Sequence, residues 1–101
     1  MATSVRPKIK STSRSPHPPA NPLTQIELVE LLHKRAVNEL VIVEVEPGRY
    51  QVHPIVAWRF GRSVLIGSAG EPRTFRSLDT LATHLKTLGT GRTIVRMELL
   101  D

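Results

Sequence analysis

From Leu23 onward the spacing of apolar residues changes period several times, and each change marks an element. Thr24 and Glu27 stand at capping-box spacing, and Leu23 and Leu28 at hydrophobic-staple spacing, so a helix is predicted to start near Thr24. Leu28, Leu31, Leu32 and the alkyl stem of Arg35 follow its three-four repeat, Glu27, Glu30 and Lys34 point outward, and its end is expected near Asn38. The branched run over residues 40–45 predicts a strand, with Val41, Val43 and Val45 on one face and Leu40, Ile42, Glu44 and Glu46 on the other. Pro47-Gly48 suits a type II turn. Beyond it Tyr50, Val52, Pro54, Val56, Trp58 and Phe60 alternate along one face of a long strand, and their alternation assigns Trp58 and Phe60 to the core. Pro54 has no backbone donor, so it marks an edge, a bulge or a break.

Gly61-Arg62 is compatible with a two-residue II′ hairpin leading into a strand over residues 63–67, and residues 73–75 are expected to add a short further strand. Ser77 is an N-cap, with Asp79 in the first turn behind it. Leu78, Leu81, Ala82, Leu85 and Leu88 repeat at helical spacing, and Gly89 fits the position just past the helix end. Thr93, Val95, Met97 and Leu99 alternate as a last strand. The predicted fold class is α+β: two layers, an antiparallel sheet of four to five strands with two helices, in the order α-β-β-β-(β)-α-β. One sheet face should lie under both helices and the other be at least partly wet.

Residues 1–22 do not fit this picture. They hold Arg6, Lys8, Lys10 and Arg14, five prolines and no carboxylate, and are expected to form a disordered basic arm ahead of a single domain over residues 23–101. The arm carries most of the formal charge of +5. Within the domain, the cations concentrate after residue 48. A basic segment of this kind suits a polyanion. With no cysteine among 101 residues, disulfides, thiolate zinc sites and cysteine nucleophiles are excluded. No run reaches the ~20 apolar residues of a membrane span and no secretory signal is visible, so a cytoplasmic location away from membranes is expected.

Arg59, Arg62, Arg73, Arg76, Arg92 and Arg96 all fall in the predicted sheet and its turns, where guanidinium forks from several elements can meet phosphate oxygens. Arginine also solubilises exposed strands and pairs with glutamates such as Glu44, Glu46, Glu71 or Glu98 on neighbouring strands. His33, His53 and His84 lie on different elements without metal-site spacing, so no metal and no cofactor are expected. Ser63, Ser68 and Ser77 sit in turn or cap contexts, without a base and an orienting acid. No catalytic residue is assigned.

The block PRTFRSLDTLATHLKTLGTGRTIVRMEL over residues 72–99, with the upstream Trp58-Arg59 and Gly61-Arg62-Ser63, resembles small bacterial proteins carried on plasmids and integrative elements, some of them plasmid partition accessory proteins. The resemblance implies a role in maintaining or regulating a mobile element, in company with DNA or a DNA-bound protein, and carries no catalytic residues. The expected function is a non-enzymatic binding module. Arg6, Lys8, Lys10 and Arg14 would contact phosphates, and Arg59, Arg62, Arg73, Arg76 and Arg92 would supply a second cationic surface. The alternative is a protein–protein adaptor that does not touch nucleic acid, docking through a sheet face or strand edge.

Overall fold

The computed structural model describes residues 21–101. Their elements are β1 (Asn21–Leu23), α1 (Gln25–His33), β2 (Val37–Glu46), β3 (Arg49–Val56), β4 (Ser63–Leu65), α2 (Leu78–Leu88) and β5 (Ile94–Glu98). The fold is α+β, and Asn21 and Pro22, which lie before the boundary expected at residue 23, belong to a strand.

Both helices start and stop where local chemistry requires. Thr24 Oγ1 accepts the Glu27 N–H at 3.1 Å while the Glu27 carboxylate accepts the Thr24 N–H at 2.9 Å, a complete capping box. Leu23 and Leu28 are both buried, in keeping with the staple spacing. α1 ends at His33, earlier than predicted, because Arg35 takes a left-handed φ of 58° and turns the chain into β2. The Arg35 side chain is therefore exposed and does not extend the helix's apolar stripe. Ser77 caps α2 by accepting the Thr80 N–H at 3.1 Å, and Gly89 closes it in the left-handed region at φ 84°.

β2 is the centre of a three-stranded sheet ordered β3-β2-β5. Its long aliphatic run is explained by strand neighbours on both sides. Leu40 and Ile42 join the main core cluster with Val52, Val56 and leucines of both helices. On the opposite face Val41 and Val43 are equally buried, so that face is dry along the middle of β2. β2 and β3 form the predicted antiparallel hairpin through Pro47-Gly48, with Gly48 at φ 75°. β3 is a sheet edge, which explains Pro54. Tyr50 exchanges backbone hydrogen bonds with Phe75 on the side away from β2, and Pro54, an even number of residues along, has its missing N–H on that same outer side.

Three expectations about the sheet are corrected. It is mixed, not antiparallel: β5 pairs parallel to β2, aligning Leu40 with Val95 and Ile42 with Met97. The hairpin at Gly61-Arg62 does not form either. β4 instead pairs in parallel with β1, a separate two-stranded sheet aligning Asn21 with Ser63 and Leu23 with Leu65. Residues 73–75 contribute only the isolated bridge of Phe75 to Tyr50, not a strand. Leu78 and Ala82 of α2, expected in the core, are exposed. Among the described residues no helix is long and apolar enough to cross a membrane.

Candidate nucleic-acid interface

The loop after β3 departs most from its predicted form. The Ala57 N–H still reaches the Ala36 carbonyl at 2.8 Å, but the Arg59 N–H turns back to the Val56 carbonyl at 3.1 Å and closes a tight turn. Gly61 follows at φ 74°, a conformation that glycine adopts without steric cost. The turn breaks the alternation inherited from β3. Trp58 and Phe60, assigned to the core by that alternation, are instead 65% and 99% exposed. They stand on either side of Arg59. The Asn21 N–H donates to the Arg62 carbonyl at 2.9 Å, so the segment carrying Arg6, Lys8, Lys10 and Arg14 joins the body against this loop. Those four residues lie outside the described residues. Asn21, Pro22, Arg59 and Phe60 line a shallow pocket of about 420 Å³.

Arg59 donates to Ser63 Oγ at 3.4 Å and is otherwise directed to solvent. The Glu27 carboxyl is held below its ordinary range, first by its hydrogen bonds from Thr24 and to a smaller degree by the charge of Arg59. Arg62 is different. Its Nη1 and Nη2 donate to the two Glu98 oxygens at 3.0 and 2.6 Å, and Nη1 also lies 3.4 Å from His53 Nδ1. His53 is buried and its Nε2 is 3.1 Å from Gln51 Oε1, which makes Nε2 the donor and leaves Nδ1 to accept. Glu98 is shared with Arg96, which also binds Glu39 at 2.6 Å. Nη1 and Nη2 of the Arg62 guanidinium are thus engaged inside the protein, with Glu98 as its partner carboxylate.

The other predicted arginines each have their own local surroundings. Arg73 lies over the Phe75 ring, 5.1 Å from its centroid, and the same ring packs against His84 at 5.4 Å. Burial, and then the charge of Arg73, lower the His84 pKa below its ordinary value. Arg76 is exposed just before the Ser77 cap. Arg92 lines a cleft of about 770 Å³ that it shares with Arg35 and His33 and that no carboxylate among the described residues lines. That cleft sits where both helices end, and carbonyl-rich helix C-termini attract cations by themselves. Its charge is therefore partly accounted for by the fold.

The geometry thus singles out the loop over residues 57–62. Its exposed rings, Trp58 and Phe60, were assigned to the core because alternation continued in the sequence past the point where the backbone turns. Arg35 of the cleft was missed too, since it counted as part of a helix that ends two residues before it. The signal available for the loop was Gly61, whose left-handed conformation interrupts a strand as readily as it closes a hairpin.

Among the described residues no group of three or more His, Cys, Asp or Glu side chains is placed to hold a metal ion. Ser63 Oγ is used by Arg59 and Ser77 Oγ by the α2 cap. Comparison with known proteins gives no matching family model, no matching curated protein and no matching solved structure.

Proposed function

We propose that the protein is a non-enzymatic binding module that holds single-stranded DNA, stacking bases on Trp58 and Phe60 while the cations of residues 1–20 and Arg59 meet the phosphates. The observation that carries this reading is the exposure of two aromatic rings flanking Arg59 at the place where the basic segment joins the body. Exposed rings beside cations suit a single strand, whose unpaired bases offer faces for stacking, each worth about 1–3 kcal/mol. Arg14 is seven residues from Asn21, so an extended chain keeps its charge within about 25 Å of the loop. Arg73, Arg76 and Arg92, which come from other segments of the chain, would add their positive charge to this attraction. The resemblance of residues 58–99 to plasmid partition accessory proteins supports a role in partition or element regulation.

The adaptor reading has its own support in the apolar residues exposed on α2 and β5, including Leu78, Val95 and Met97. Binding of a fluorescent single-stranded oligonucleotide, followed by anisotropy at low salt, separates the two. Trp58→Ala and Phe60→Ala should each weaken binding by about 5- to 100-fold, the equivalent of one lost stack. Wild-type affinity in both variants would refute the stacking role. A wild-type protein that binds no oligonucleotide would leave the adaptor.

A further inference from the structure

We propose that β5 is the edge through which two copies of this chain join, antiparallel and centred on Met97, to make one continuous six-stranded sheet. β5 lies at the end of the β3-β2-β5 order, so among the described residues no strand pairs with its outer side. It is unusually apolar for such a place, and so are the two residues after it. Within β5, Ile94 is 66%, Val95 47% and Met97 43% exposed, and just past its end Leu99 is 57% and Leu100 49% exposed. An uncovered edge of this composition is a template for another strand.

The sequence over residues 94–100 selects itself as that strand, the pairing carrying β5 two residues past its end in the single chain. Residues directly opposite each other in an antiparallel pair share a face, so only registers that match odd positions with odd and even with even keep the faces aligned. With Met97 opposite Met97 of the second copy, Val95 faces Leu99 on one side of the sheet. On the other, Ile94 faces Leu100 and Arg96 faces Glu98. Every apolar residue meets an apolar residue and each charge meets its opposite, twice over by the two-fold axis. Moving the centre by one residue destroys this. Centring on Arg96 sets Arg96 against Arg96, and centring on Glu98 sets Glu98 against Glu98.

The helix layer agrees. Val95 and Met97 share an apolar groove of about 300 Å³ with Leu78, Ala82 and Leu85 of α2. In the Met97 register Leu99 of the second copy stands opposite Val95 on this same face, at the mouth of the groove. The exposure of Leu78, unexplained by the monomer's core, follows from that arrangement. Arg96 already binds Glu39 and Glu98 of its own chain, yet its side chain remains 48% exposed.

The absence of cysteine makes the register directly testable in the full chain. Met97→Cys should give a disulfide-linked dimer under mild oxidation, because opposed Cα atoms in an antiparallel pair lie about 4.5–5.5 Å apart, within disulfide range. Val95→Cys, which faces Leu99 and not itself, should cross-link far more slowly. By light scattering the wild type should show twice the 11.3 kDa chain mass. Met97→Asp, which sets two carboxylates face to face at an exposed position, should show the chain mass with unchanged circular dichroism. A wild type that stays monomeric while neither cysteine variant cross-links would overturn the proposal. So would equal cross-linking at both positions, or a dimer that survives Met97→Asp.

Discussion

Arg62 clasps the Glu98 carboxylate with both arms of its guanidinium, at 3.0 and 2.6 Å, and so fastens the loop after β3 to the last strand across 36 positions of chain. With the Arg62 side chain 18% and Glu98 28% exposed, the pair is screened from water more than most surface ion pairs. Glu98→Gln should therefore cost about 1–2 kcal/mol, read as a lower urea midpoint with an unchanged slope.

The same pair fixes a pH dependence. Hydrogen bonds from Arg62 bring the Glu98 carboxyl down to about 2, against the opposing effect of burial and with further help from Arg96. A carboxyl whose folded pKa is depressed contributes stability that is present above its unfolded value near 4.5 and lost as pH falls toward 2. Stability should fall across that window, and Glu98→Gln should remove part of the slope.

Local signals predict caps well, and the caps should respond as single residues. Thr24→Ala removes one half of the capping box and should cost about 1 kcal/mol. Gly89→Ala meets no neighbour within 4 Å, so its cost of about 1 kcal/mol comes from the left-handed backbone at φ 84° alone. Thermal melts of the two variants should show comparable losses.

Two leucines on α2 separate core from surface. Leu85 is 6% exposed and Leu78 39%. Leu85→Ala should cost about 2–4 kcal/mol by transfer and cavity effects together, while Leu78→Ala should cost under about 1 kcal/mol in a monomer. Chemical denaturation at low protein concentration measures both.

The division between what was legible and what was not follows sequence distance. The α1 start, α2 with both its caps and the β2–β3 hairpin are written in residues within four positions of each other, and pattern reading located them. The parallel pairing of β5 with β2 and of β4 with β1 brings together segments tens of residues apart, and nothing in the alternation of Thr93, Val95, Met97 and Leu99 distinguishes a parallel neighbour from an antiparallel one. At the candidate site, Arg59 was expected on a strand running on to Phe60, whereas it lies in the turn that follows β3. The roles of Trp58 and Phe60 were inverted by a single backbone hydrogen bond, Arg59 to Val56, and that of Arg62 by a glutamate far along the chain.

The basic segment makes a separate electrostatic contribution. Replacing Arg6, Lys8, Lys10 and Arg14 by alanine should flatten the dependence of log affinity on log salt by up to about 3 for a single-stranded oligonucleotide. Affinity measured at several salt concentrations checks this, and the stacking contribution of Trp58 and Phe60 should persist in the variant.

Trp58 is the chain's one tryptophan, and it stands on the proposed binding face. Titrating the wild-type protein with a single-stranded oligonucleotide while following its intrinsic fluorescence tests the central claim most directly. Saturable quenching at low salt that reverses as salt is added is the predicted result. Emission that stays constant throughout the titration would contradict it.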